Sequence, residues 1–159
     1  MATWVVAGST TDLTELPSTT LQNMIISNWT ETNPAAASIK FAQDWWDGYG
    51  SFQIHFRRQD TPINVQNIGW RYRAYDDYVM IHVFVRRNVA QEPIERQNIV
   101  REIQRIIGQK KDQLTLAGVT KNSYMEIVQM NDDVLSSSVA SIWHSIIRVK
   151  IHYWKVDTS

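Results

Sequence analysis

Three histidines are the residues whose type and spacing most directly suggest chemistry. His55, His82 and His152 each occupy an outward position in a stretch where apolar and polar residues alternate. Because alternate side chains of a β-strand share one face, we expect all three on the same face of a sheet. Imidazole serves as a metal ligand and as a general acid or base. However, no carboxylate or thiol accompanies them, and nearby Arg and Lys would repel a cation, so we expect no metal, no cofactor and no enzymatic activity.

The rest of that predicted face mixes positive charge with large apolar groups. The candidate subunit or partner interface consists of Arg57, Arg71, Arg73, Tyr75, Phe84, Arg86, Arg148, Lys150 and Trp154. Protein interfaces are enriched in arginine and aromatic residues and depleted in lysine and glutamate, which favours self-assembly or partner binding. Two alternatives remain open: a platform that stacks the bases of single-stranded nucleic acid, and a face half covered by the N-terminal arm and loops.

Composition narrows the class of protein. The 159 residues carry 16 Lys and Arg, 16 Asp and Glu and no Cys, which predicts one domain over 1–159 without disulfides. The neutral balance argues against a dedicated nucleic-acid binder. No stretch approaches the roughly 18 apolar residues of a membrane span and no signal peptide is recognisable, so we expect a soluble, cytosolic protein. Residues 1–50 have a net charge of −4 and residues 51–87 of +3, which suits head-to-tail self-association.

The N-terminal part contains one predicted helix. Residues 1–17 are predicted to form an extended arm. The helix begins near Ser18 or Thr19, where Thr19 and Gln22 have capping-box spacing, and Asn33-Pro34 ends it. Residues 35–42 are compatible with either a short helix or a first strand.

A second helix is predicted to open at Glu92-Pro93. Its apolar stripe comprises Ile99, Val100, Ile103, Ile106 and Ile107. Either Gly108 caps this helix, or it continues through residues 110–114.

Alternating stretches predict five strands, at 52–57, 70–75, 79–86, 125–130 and 147–154. Asp76-Asp77 is predicted to be the tight turn of a hairpin, Thr61-Pro62 to lie in a loop, and residues 131–133 to form another loop. The expected fold is α+β: a mixed, mainly antiparallel sheet of about five strands with two helices packed on one face, in the order α-βββ-α-ββ.

This order of elements resembles the tail terminator (tail completion) proteins of long-tailed bacteriophages and archaeal tailed viruses. Four segments carry the resemblance: residues 21–29, 78–87 (YVMIHVFVRR), 98–107 (NIVREIQRII) and 143–156 (WHSIIRVKIHYWKV). In that family a strand ending in Arg runs into the second helix, and a Trp and an Arg often introduce the final strand, as Trp143 and Arg148 do here.

The resemblance implies a virion structural protein, assembled in the host cytoplasm, that forms a homo-hexameric ring at the head-proximal end of the tail tube. Its partners would be itself, the tail tube protein and a neck or connector protein. DNA would only pass through the ring, and no membrane or cofactor would be involved. Loops at 59–68, 115–124 and 131–141 would reach neighbouring rings. A neck or head-completion connector protein is the close alternative.

Overall fold

The fold is that of a computed structural model, which describes residues 17–43, 51–68, 72–88, 94–113, 121–136 and 140–156. Within these residues, helix α1 (Pro17–Ser27) precedes strands β1 (Lys40–Ala42), β2 (Phe52–Ile68) and β3 (Tyr72–Asn88). Helix α2 (Ile94–Lys110) follows, then strands β4 (Lys121–Ser136) and β5 (Ala140–Val156). The sheet has the order β1-β2-β3-β5-β4, with β1 parallel to β2 and the other pairs antiparallel. The α+β prediction and its α-βββ-α-ββ order are confirmed.

Both helices pack on one face of this sheet, which we call the helix face. The helices contribute Leu21 and Ile25 from α1 and the predicted apolar stripe from α2, whose four isoleucines are buried and whose Val100 is half-buried. The helix face of the sheet supplies Ile54, Phe56, Val79, Ile81, Val83, Val85, Met125, Ile147, Val149, Ile151 and Tyr153. Each such side chain removed from water contributes roughly 1.5–3 kcal/mol, so this layer contains the main hydrophobic core.

The predicted hairpin at Asp76-Asp77 is wrong, because β3 runs through both residues in unbroken register with β5. Partners on two sides satisfy the two carboxylates. Asp76 accepts a hydrogen bond from Nδ1 of His152 at 2.7 Å, and Asp77 is held by Arg58, whose Nη2 lies 2.7 Å from Oδ2. Side chains of the neighbouring strands β2 and β5 therefore satisfy both carboxylates. Asp76 and Asp77 do not need the local backbone hydrogen bonds that would favour a turn.

Asp77 belongs to a buried polar group on the helix face. Nε of Arg58 contacts both carboxylate oxygens, at 3.1 and 3.0 Å, and the Tyr153 hydroxyl lies 3.5 Å from Oδ2. Burial raises the pKa of Asp77, although the guanidinium of Arg58 acts in the opposite direction. Burial, with the nearby Asp77 charge, also raises the pKa of Tyr153. Arg58 thus compensates a carboxylate that would otherwise be isolated in the core.

The other strands are also longer than predicted. β2 continues past Thr61-Pro62, where register shifts between Gln59 and Ile63 accommodate a proline that cannot donate a ladder hydrogen bond. β4 continues through residues 131–133, which were predicted to form a loop. The loops predicted at 59–68 and 131–141 are therefore largely strand, and so is the end of the loop predicted at 115–124.

The helix boundaries differ in detail from the prediction. α1 begins at Pro17, so Thr19 lies in its first turn instead of at a cap, and α1 ends at Ser27 before Asn33-Pro34. Gly108 lies inside α2. Residues 35–42 contain both alternatives, a 3₁₀ turn at Ala36–Ser38 and then β1. The predicted arm, apart from Pro17, and the start of the second helix at 92–93 lie outside the described residues.

A buried carboxylate fastens the turn after α1 to α2. The backbone nitrogen and the hydroxyl of Thr30 donate to Oε1 of Glu102, at 2.7 and 3.0 Å, and Arg105 donates to Oε2 at 2.9 Å. The hydrogen bond from Arg105 is the main reason that the pKa of Glu102 falls to about 2. Arg105 also donates to the Asn28 carbonyl oxygen at 2.8 Å. Glu102 and Arg105 of α2 thus fix the chain that leaves α1 against α2.

Candidate functional site

The opposite face of the sheet, here called the second face, carries no described helix. The cross-strand register assigns its side chains. They are Gln53, His55, Arg57 and Gln59 on β2, Asp76, Tyr78, Met80, His82, Phe84 and Arg86 on β3, His144, Ile146, Arg148, Lys150, His152 and Trp154 on β5, and Tyr124, Glu126, Gln129 and Asn131 on β4.

Most of the predicted interface residues lie on this face. The register places six there: Arg57, Phe84, Arg86, Arg148, Lys150 and Trp154. The prediction is wrong for Arg73 and Tyr75, which point to the helix face because β3 does not turn at Asp76-Asp77. Tyr75 stacks on Tyr153 there, with ring centroids 5.8 Å apart. Arg71 lies outside the described residues.

Four aromatic side chains on the second face form a buried group, the His–Phe cluster, of His55, His82, Phe84 and His144. Phe84 and His144 are cross-strand partners, with ring centroids 4.4 Å apart and planes 6° from parallel. Nδ1 of His82 lies 2.9 Å from Nε2 of His144. His55, directly opposite His82, meets Phe84 edge-on at 5.7 Å and hydrogen-bonds Gln53 at 2.7 Å. One ring nitrogen of each histidine is thus bonded to another side chain of the second face.

Burial sets the protonation state of His82 in this cluster. Desolvation, followed by the charges of His144, Arg57 and His55, lowers the pKa of His82 to about 4. His82 is therefore neutral at pH 7. In the contact with His144, one ring nitrogen donates and the other accepts. Such a pair is suited to packing and to fixed hydrogen bonding near neutral pH.

A second group on this face surrounds Arg148. Its guanidinium lies 4.1 Å from the centroid of the Tyr78 ring, a cation–π geometry, and its Nε donates to Oε1 of Gln59 at 3.0 Å. Strands β2, β3 and β5 each supply one member of this contact. The arginine is held in a defined position across three strands and remains partly exposed.

Toward the end of β5, the second face carries ion pairs. Nζ of Lys150 lies 2.7 Å from Oε1 of Glu126, and His152 contacts both Asp76 and, edge-on at 6.0 Å, Trp154. The expectation that this face has no carboxylate is therefore wrong.

The prediction that His55, His82 and His152 share one face is confirmed, but the register does not bring the three together. His152 pairs with Asp76, six residues from His82 along β3, or about 20 Å at the rise of a strand. The third histidine of the cluster is His144, which is not among the candidate residues predicted from the sequence. Extending the alternation of β5 back from Ile147 would have placed it on the second face. Among the described residues, no group of three or more His, Cys, Asp or Glu side chains is placed to hold a metal ion.

The arrangement is better suited to contact with a protein than to stacking of bases. Base stacking needs open aromatic planes, whereas Phe84 is only 2% exposed and lies against His144. The exposed groups include Arg57 and Arg86, at opposite ends of the cluster, together with Tyr124 and Glu126 on β4. Arginines around a closed aromatic centre are typical of a protein interface.

The class that fold and face define is an α+β domain with helices on one side of a five-stranded sheet. No protein-family model and no curated protein matches the chain. A solved structure whose name states no function is similar at a TM-score of 0.44 and 7% sequence identity, over 86% of this chain and 96% of that one. Likeness at this level carries no argument about function. Among the described residues, no helix has the length and apolar composition needed to cross a bilayer.

Proposed function

We propose that this protein is a virion structural protein that forms a ring at the head-proximal end of a viral tail tube. The ring ends tube polymerisation and joins the tail to the neck. It acts by assembly, without catalysis and without a cofactor.

The observation that carries the proposal is the division of one sheet into two unlike faces. The helices cover one face with an aliphatic core, and the second face carries exposed arginines around a packed aromatic centre. A face of this composition is typical of subunit contacts. Each of the four segments that carry the resemblance to tail terminators also falls on one described element. They are 21–29 on and after α1, 78–87 on β3, 98–107 on α2 and 143–156 on β5.

The proposed mechanism is steric. Subunits that associate head to tail form a ring when the rotation between them closes, and a filament when it does not. One surface of the closed ring binds the last ring of the tube. The opposite surface does not offer the site that another tube ring needs, so growth stops.

The test is the length of tubes polymerised from tail tube subunits of the same virus, measured by electron microscopy with and without this protein. We expect shorter tubes, each ending in one ring. Arg86→Glu, on the second face, should weaken ring formation. Arg101→Glu reverses the same charge at an exposed position of α2 and serves as the matched control.

Other outcomes would assign a different role. Unchanged tube length with rings bound to the capsid would indicate a neck connector. Unchanged tubes, no rings and salt-dependent binding of single-stranded nucleic acid would contradict the proposal and favour the stacking platform. Equal assembly of Arg86→Glu and Arg101→Glu would show that this arginine is outside the interface.

A further inference from the structure

The sheet has two edges, and both present long stretches of strand backbone. β4, with 16 residues, is the edge strand on one side. On the other side β1 pairs with only Gln53–His55 of the 17-residue β2. Within the described residues, no strand lies outside β4 or beside β2 beyond His55. Unpaired strand edges are templates for pairing with another chain.

We propose that copies of this protein join edge to edge, with residues 129–136 of β4 in one copy pairing with β2, beyond His55, in the next. The inference deepens the proposed function, because it adds a backbone contact at the sheet edges to the subunit contact proposed for the second face. Strand directions fit this contact. β4 runs opposite to β5 and therefore opposite to β2, so a second copy in the same orientation places its β2 antiparallel to β4. Antiparallel pairing is the slightly more stable ladder.

The composition of β4 supports an occupied edge. Soluble proteins protect free edges with lysines and other charges, prolines, bulges or very short strands. β4 is long and contains no lysine or proline after Lys121, and its protective features are limited to acidic residues and two register shifts. In the described part of the chain, three of the five exposed large apolar side chains lie on β4: Met130 lies within the segment 129–136, and Tyr124 and Val128 precede it. An edge strand of this kind is protected when a partner covers it.

The contact is assigned to the second half of β4 because the first half is already engaged. The backbone nitrogen of Met125 donates to the Lys111 carbonyl oxygen at 2.9 Å, which closes that part of the edge with the end of the α2 region. A register shift between Ile127 and Gln129 then separates the two halves. Gln129 and Asn131 follow, exposed and on the second face.

Charge favours pairing of unlike edges. β4 carries Glu126, Asp132 and Asp133 against one lysine, whereas β2 carries Arg57 and Arg58 against one aspartate. Because Arg58 is paired with Asp77 inside the subunit, Arg57 is the cation of β2 that the contact would use. Glu126 and Asp132 remain 50% and 66% exposed despite their ion pairs within the subunit. Two β4 edges facing each other would juxtapose like charges, so the attraction selects β4 against β2.

A charge exchange tests this contact. The β4 variant carries Gln129→Lys and Asn131→Lys, the β2 variant carries Arg57→Glu, and a control carries Ile94→Lys and Gln97→Lys at exposed positions near the start of α2. Self-association is measured by light scattering, and the composition of mixtures by native mass spectrometry. Like-charge contact should weaken self-association of each edge variant at least about tenfold, whereas the control should match the wild type. Mixing the two edge variants should restore assembly at a one-to-one ratio, which also shows that both are folded.

Several results would overturn the inference: a β4 variant that assembles like the wild type, a β2 variant that is unaffected, a mixture that restores nothing, or a wild-type protein that stays monomeric at every concentration. Failure of the proposed function has a different signature. If the mixture restores association only as open chains, the edge pairing stands and the ring does not. If rings form on tubes while the edge variants behave as the wild type, the function stands and the edge pairing does not.

Discussion

The two faces of one sheet are packed by different chemistry. On the helix face, strands β2, β3 and β5 present Ile, Val, Phe and Tyr side chains to two helices, with Arg58 and Asp77 as an internal ion pair. On the second face, the same strands present imidazoles, arginines and Phe84, joined by hydrogen bonds and ring stacking. The first face is closed by other parts of the same subunit, whereas the second leaves charged groups at the surface.

From this difference we expect stability and association to depend on different parts of the molecule. Changes on the helix face should act on the free energy of unfolding. Changes at the exposed rim of the second face and at the sheet edges should act on assembly. Three predictions test this division, in decreasing order of expected effect.

Two buried phenylalanines on adjacent strands compare the faces directly. Phe56→Ala on the helix face should lower the free energy of unfolding by about 3–5 kcal/mol, because it leaves a cavity in an aliphatic core. Phe84→Ala should cost less, about 2–3 kcal/mol, because water can reach the polar rings around the space it leaves. Urea unfolding measures both values. Equal losses would mean that the second face is as closed as the helix face.

The ion pair on the helix face gives the second prediction. Arg58→Met leaves Asp77 buried without its cation and should destabilise the fold by about 3 kcal/mol at pH 7. Because protonation neutralises Asp77, the loss should shrink as the pH falls. The double variant Arg58→Met with Asp77→Asn should recover much of the stability, and Arg101→Met is the exposed control. A loss that is the same at every pH would contradict the role assigned to the carboxylate charge.

The His–Phe cluster gives the third prediction. The pKa of His82 is about 4 in the folded state, below its ordinary value of 6.5, so the unfolded chain binds more protons between these two values. The free energy of unfolding should be fully maintained well above pH 6.5 and decrease by about 3 kcal/mol as the pH falls to 4. His82→Gln should flatten this slope in denaturant titrations. A variant with the slope of the wild type would contradict the assignment to His82.

Alternation in the sequence was sufficient to predict the fold class and the face on which six of the nine candidate interface residues lie. The error at Asp76-Asp77 has a physical origin: two adjacent aspartates favour a turn unless distant residues bond them. Here Arg58 and His152, 19 and 76 residues away, supply those bonds. The wrongly predicted turn inverted the predicted side of Arg73 and Tyr75. His144 was missed because the alternation was followed only from Ile147 onward.

The mass of the purified protein in solution, followed by light scattering across concentration, tests the central claim most directly. Assembly through this sheet predicts a mass that rises with concentration and reaches a plateau at a closed ring of about six subunits. A mass that stays at that of one chain at every concentration, with and without tube subunits, would contradict it.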